Sequence, residues 1–116
     1  MLFPRRDHVV FDVESPEILA EKLTQHSWCG CNGFRLRGYL FLNDSTSPDG
    51  AQEFAVVRES DMRQIESITF SWCNQDKARE YIERSIAGEF DDVMNSPVDR
   101  NTIQSPEAHG RCCHCA

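Results

Sequence analysis

Six cysteines and four histidines carry most of the reactive chemistry in this chain, and they fall into groups. His26-Ser-Trp28-Cys29-Gly-Cys31 gathers an imidazole and two thiols in one short stretch. His109-Gly-Arg-Cys112-Cys113-His114-Cys115 does the same near the C-terminus, and Cys73 stands apart. In the first two groups a histidine is followed three positions later by a cysteine. Zinc takes four ligands in a tetrahedron and favours thiolates. The two groups together supply that set: Cys29, Cys31, Cys112 and Cys115, with His26 or His114 as substitutes. The fit is imperfect, because one residue separates Cys29 from Cys31 where a zinc knuckle has two. The competing reading needs no cofactor: Cys29 and Cys31 pack at a turn and the C-terminal thiols stay free. A thiol-redox protein or small enzyme is the third reading. It is the weakest, since redox pairs sit ahead of a helix whose N-terminus lowers the thiol pKa, and these follow one. Cys113-His-Cys-Ala116 lacks the aliphatic middle residues of a prenylation signal.

The elements that must position these groups can be read from periodicity. Asp7–Val13 is a short apolar strand. Ser15 is a good N-cap, Pro16 suits the first helical position, and Glu17 complements the dipole. Ile18, Leu19 and Leu23 then form an apolar helical stripe that fades near Gln25 or His26. Phe34–Leu42 reads as one strand, with Phe34, Leu36, Leu40 and Leu42 on one face and Arg35, Arg37, Tyr39 and Phe41 on the other. Residues 43–50 are dense in turn formers. Glu53–Arg58 forms the return strand, and Ile65–Trp72 follows after a polar connection. Asp76–Phe90 is an amphipathic helix with Ala78, Tyr81, Ile82, Ile86 and Phe90 on one face. From residue 93 onward the apolar periodicity ends, and that stretch reads as a disordered tail.

The expected fold is therefore α+β: a two-layer domain over residues 5–92, with order β-α-β-β-β-α, an antiparallel sheet, and two helices on one face. Residues 93–116 form the cysteine-bearing tail. In such a meander the second strand starts at one end of the sheet and the fourth finishes at the other. Cys73 would then lie roughly a strand length, ~20 Å, from Cys29 and Cys31. It reads as a buried small apolar residue.

Arg35, Arg37 and Tyr39 on one strand face, with the loop residue Trp28 nearby, make the candidate binding surface. Guanidinium beside aromatic rings suits an anion or an acidic protein segment. The competing reading is a solvated face whose arginines pair with Glu53, Glu59 or Glu66. The polar loop around Asp44 and Asp49 lacks the alternating ligands of a calcium loop. No nucleophile-elbow, P-loop, dinucleotide or HExxH pattern occurs.

Composition narrows the classes. The 116 residues are 40% hydrophobic and 27% charged, ordinary for one globular domain. A net charge of −7 opposes binding to a phosphate backbone, so double-stranded nucleic acid is not an expected partner. No apolar run approaches the ~20 residues that span a bilayer, and no secretory signal is evident. The chain reads as cytoplasmic, where thiols stay reduced. The expected function is a small non-enzymatic intracellular binding module for a protein or a small anionic ligand. A zinc-binding module is the alternative, and a homodimer through an exposed sheet edge is also compatible.

Overall fold

The computed structural model describes residues 8–24, 33–46, 52–70 and 75–104. Within them the order is β1 (His8–Asp12), α1 (Pro16–Leu23), β2 (Gly33–Leu36), β3 (Tyr39–Thr46), β4 (Gln52–Arg58), β5 (Arg63–Phe70), α2 (Gln75–Ile86), β6 (Ser96–Pro97), a 3-10 turn (Arg100–Thr102) and β7 (Ile103–Gln104). The fold is mixed α+β, with seven strands in one curled sheet of order β6-β5-β4-β3-β2-β1-β7.

The largest departure from the sequence reading lies inside Phe34–Leu42. That stretch is a hairpin of two strands. Leu36 pairs with Tyr39, Arg35 with Leu40, and Phe34 with Phe41. The two-residue turn is Arg37-Gly38, with φ of 50° and 87°. Positive φ at both central positions is the type I′ signature, whose twist matches that of the flanking strands. Gly38 takes this conformation at little cost, whereas Arg37 holds it against a penalty of about 1–2 kcal/mol.

The hairpin adds a chain reversal and resets the alternation of faces. Phe34, Leu36, Phe41, Phe54 and Val56 join Leu19, Ala20 and Leu23 of α1 and Ala78 and Ile82 of α2 in one core cluster. Leu40, Leu42, Ala55 and Val57 belong to a second cluster with Val10, Met62 and Val98. Neighbouring residues of β4 therefore alternate between two cores, and Phe54, Val56 and Val57 are all 0% exposed. A strand buried on both faces reads as a continuous apolar run, and Phe54-Ala-Val-Val57 is one.

The sheet is not purely antiparallel. β1 runs parallel to β2 and to β7. Register shifts interrupt the β3–β4 and β4–β5 ladders, and such bulges bend a strand and increase its twist. The edges are the two-residue strands β6 and β7. Both come from the stretch that the sequence reading assigned to the tail. Residues 96–97 and 103–104 are sheet-paired and 100–102 form the 3-10 turn, while 105–116 lie outside the described residues. β6 pairs only with Arg63 and Gln64 of β5, so among the described residues no strand covers the outer side of β5 over residues 66–70, and the edge on which the homodimer reading rests is shortened rather than removed.

Helix α1 forms as its cap predicts. Ser15 Oγ accepts from the Ile18 amide at 3.2 Å, and Pro16 opens α1. The buried stripe of α1 is Pro16, Leu19, Ala20 and Leu23, while Ile18 is 40% exposed. In α2 the buried residues are Ala78, Ile82 and Ser85, and Tyr81 stands at 38% exposure. Phe90 lies past the end of α2 and is buried. Arg84 spans the two rings, 5.8 Å from the centroid of Tyr81 and 5.0 Å from that of Phe90.

An added Cβ at Gly38 would meet nothing within 4 Å, so Gly38→Ala isolates the backbone conformation. It should lower stability by about 1 kcal/mol or somewhat more, read as a lower denaturant midpoint at unchanged slope. An unchanged midpoint would mean that residue 38 sits in ordinary extended backbone.

Candidate functional site

The turn at Arg37-Gly38, the β4–β5 connection and the C-terminal end of β1 lie at one end of the sheet, since Asp12 pairs with Arg35 and Arg58 with Arg63. This hairpin end concentrates charge. Arg35 grips Glu59 with two parallel bonds, Nε to Oε1 at 2.9 Å and Nη2 to Oε2 at 2.8 Å. Its Nη1 reaches Asp12 at 3.0 Å. Arg58 holds Asp61 in the same forked way, at 3.1 and 2.8 Å, and its Nη1 lies 3.4 Å from Asp91. The Tyr39 hydroxyl donates to Asp91 at 3.2 Å. Forked guanidinium–carboxylate pairs are the strong, geometrically specific kind.

These pairs move proton affinities in the expected directions. Arg35 is held protonated above its ordinary range, first by its hydrogen bond to Glu59 and then by Asp12, against the opposing effect of burial. Arg58 is likewise held protonated, chiefly by its hydrogen bond to Asp61. The same bond lowers the Asp61 carboxyl. The Tyr39 phenol is pushed up, first by burial and then by the negative charge of Asp91, with its hydrogen bond to Asp91 adding and Arg58 opposing.

The residues proposed for binding do not share one face. Tyr39 lies across the hairpin from Leu36 and packs against the first core cluster, whereas Arg35 lies across from Leu40. The turn between them resets the alternation on which the single-face reading depended. Arg35 is also committed: two carboxylates already occupy its guanidinium. Glu59, one of the partners expected from the sequence, is the main one. Asp12, Asp61 and Asp91 were not foreseen: Asp12 comes close because β1 runs beside β2, Asp91 because the chain returns after α2, and Asp61 by lying three residues from Arg58 in the β4–β5 connection. Arg37 differs from its neighbours. It is exposed, and among the described residues it forms no ion pair. Trp28 lies outside the described residues.

The same applies to the metal candidates. Cys29, Cys31, Cys112, Cys115, His26 and His114 all lie outside the described residues, as does Cys73. Among the described residues no group of three or more histidine, cysteine or carboxylate side chains is placed to hold a metal ion. The topology nevertheless corrects the argument that set Cys73 apart. With the extra reversal, β2 starts and β5 finishes at the same end of the sheet, because four strands in a row lie between Gly33 and Phe70. The separation of about one strand length expected from a three-strand meander no longer follows.

No family model, curated protein or solved structure matches the chain. No helix among the described residues is long and apolar enough to cross a membrane.

The raised Tyr39 phenol gives a direct test of this end of the sheet. The ultraviolet difference titration between wild type and Tyr39→Phe should show a phenolate midpoint above the ordinary value of about 10. A folded-state pKa above the unfolded one contributes stability that is present below the unfolded pKa and is lost as pH rises through the folded pKa. Tyr39→Phe should therefore flatten the alkaline limb of the stability profile. A Tyr39 midpoint at or below about 10 would contradict the contact with Asp91.

Proposed function

We propose that the chain is a small non-enzymatic intracellular binding module, an α+β domain of two layers whose contact surface is the hairpin end centred on Arg37. One observation carries this reading: Arg37 occupies a left-handed turn position, φ 50°, and carries an exposed side chain with no ion pair among the described residues. Backbone strain at a non-glycine residue clusters at ligand-contacting sites. Arg35 and Arg58 are taken up by carboxylates, and Arg63 and Arg100 donate to backbone carbonyls, which leaves Arg37 as the arginine of this end with neither an ion pair nor a side-chain hydrogen bond among the described residues.

The surrounding charge narrows the ligand. The charge of this end is mixed, with Asp12, Glu59, Asp61 and Asp91 set among its arginines, so a free polyanion would meet carboxylates beside Arg37. A single carboxylate on an acidic segment of a protein partner suits the arrangement better. A guanidinium binds it in a fork, and the flanking acids take up the partner's basic residues. Trp28, the aromatic anchor expected from the sequence, precedes the opposite end of β2 from the Arg37 turn and is left out of this surface.

The test uses N-acetylglutamate as a minimal carboxylate probe, added to the full isotope-labelled chain. Amide shifts should concentrate at Arg37 and Gly38 and disappear in Arg37→Ala. Shifts of equal size in Arg37→Ala, or shifts spread over the whole surface, would count against the proposal.

The corrected topology favours a second reading, a zinc-binding module. Cys29 and Cys31 precede β2 and Cys73 follows β5, and the described ends of those strands lie on the same side of the sheet. The ligands proposed are Cys29, Cys31, Cys112 and Cys115, with His26 or His114 as substitutes, and Cys73 returns to the candidates. Protein purified under reducing conditions without added metal should carry about one zinc per chain. Its loss in Cys29→Ser and its retention in Cys113→Ser would support the set. A metal-free protein would retire it.

A further inference from the structure

The segment Ser96–Gln104 touches both edges of one sheet. Ser96-Pro97 pairs with Arg63 and Gln64 of β5, and Ile103-Gln104 pairs with His8 and Val9 of β1. A span this short closes the gap only because the sheet curls until its edges approach each other. Between the two pairings, the Val98 amide donates to the Met62 carbonyl at 2.9 Å. The Val98 side chain, 7% exposed, covers the second core cluster beside Met62, Leu40, Leu42 and Val57. Asp99 caps the following 3-10 turn by accepting from the Asn101 amide at 2.9 Å, and an Arg100 Nη donates to the Glu59 carbonyl at 3.4 Å.

This attachment is slight beside what it covers. Val98 is the only buried residue of the segment, and each end is held by a two-residue strand. The β3 and β4 ladder beneath it runs from Tyr39 to Thr46, and Leu40, Phe41, Phe54, Val56 and Val57 there are fully buried. Segments with few buried contacts and short ladders open at lower free energy than the core they sit on.

We infer that Ser96–Gln104 is a latch: it holds the curled sheet closed by joining its two edge strands, and it opens as a unit while the rest of the sheet stays folded. Closed, it covers the His8–Val9 stretch of the β1 edge and the Arg63–Gln64 stretch of the β5 edge against pairing with other chains. Open, it uncovers those edges and the apolar face built from Leu40, Leu42, Val57 and Met62. The fold thereby holds a two-state element whose balance a partner can shift.

Native-state hydrogen exchange on the full chain tests this. The Val98 amide should exchange roughly tenfold or more faster than the β3 and β4 amides, yet well below the free-peptide rate. It should also show a weaker denaturant dependence than those amides. Val98→Asp should release the protection of the latch and increase binding of an apolar dye, while the β3 and β4 amides keep their protection. Exchange of Val98 in step with β3 and β4 at every denaturant concentration would overturn the inference, as would an unprotected Val98 in the wild-type chain. Loss of protection throughout the sheet in Val98→Asp would show that the segment is an integral part of the core and not a latch.

Discussion

The left-handed turn at Arg37-Gly38 is the constraint on which the rest of this structure depends. Two residues with positive φ reverse the chain where alternation alone would carry it straight on. Everything downstream changes parity. Leu40 and Leu42 leave the face of Phe34 and Leu36 and enter a second core. Arg35 and Tyr39 part to opposite faces, one to a carboxylate pair and the other to the main core. β5 finishes at the end where β2 begins. A slip of one residue in a strand moves every side chain to the other face, so a misplaced turn has consequences across the whole sheet.

A sheet with two apolar faces needs cover on both. The helices bury one through Leu19, Leu23, Ala78 and Ile82. The other is concave, and curling reduces the area left to cover. Val98 and Ile103 pack against what remains. The curvature has local causes in the two register shifts, and it is what brings β5 and β1 close enough for one short segment to join them. The ion pairs at the hairpin end tie the same parts together from outside: Arg35 links β1 to the β4–β5 turn, and Arg58 links β4 to the chain beyond α2. Solvent-accessible pairs of this kind contribute little stability each. Their clearer effect is to fix which arginines remain available to a ligand.

Much of the framework was legible in the sequence because its signals were local. Ser15-Pro16 marks the start of α1, the 3.6-residue spacing of Ala78 and Ile82 marks α2, and the Val-rich run at Phe54–Val57 marks a central strand. What was not legible depended on single residues or on tertiary closure. Gly38, in the middle of a nine-residue alternating stretch, was the available sign of the hairpin, and the strand pattern on either side of it masked that sign. Ser96–Gln104 has neither period nor length, and its pairing is favourable only once the sheet has curled. Asp12 and Asp91 come from segments distant in sequence from Arg35 and Arg58, so no spacing rule joins them, whereas Asp61 is three residues from Arg58 and that pairing was open to a local reading. The distance expected between Cys73 and the Cys29–Cys31 turn, like the shared face of Arg35 and Tyr39, rested on a strand without the reversal at Arg37-Gly38.

The central claim is therefore the hairpin itself, and cross-strand nuclear Overhauser contacts in the full chain test it most directly. The account predicts contacts between Phe34 and Phe41 and between Leu36 and Tyr39, with Val56 as the next neighbour of Phe41 across β3 and β4. Phe34 and Phe41 without a contact, and Phe41 instead paired through an unbroken strand from Phe34 to Leu42, would contradict the turn. The two-sided core, the divided arginine–tyrosine surface and the latch would then fall with it.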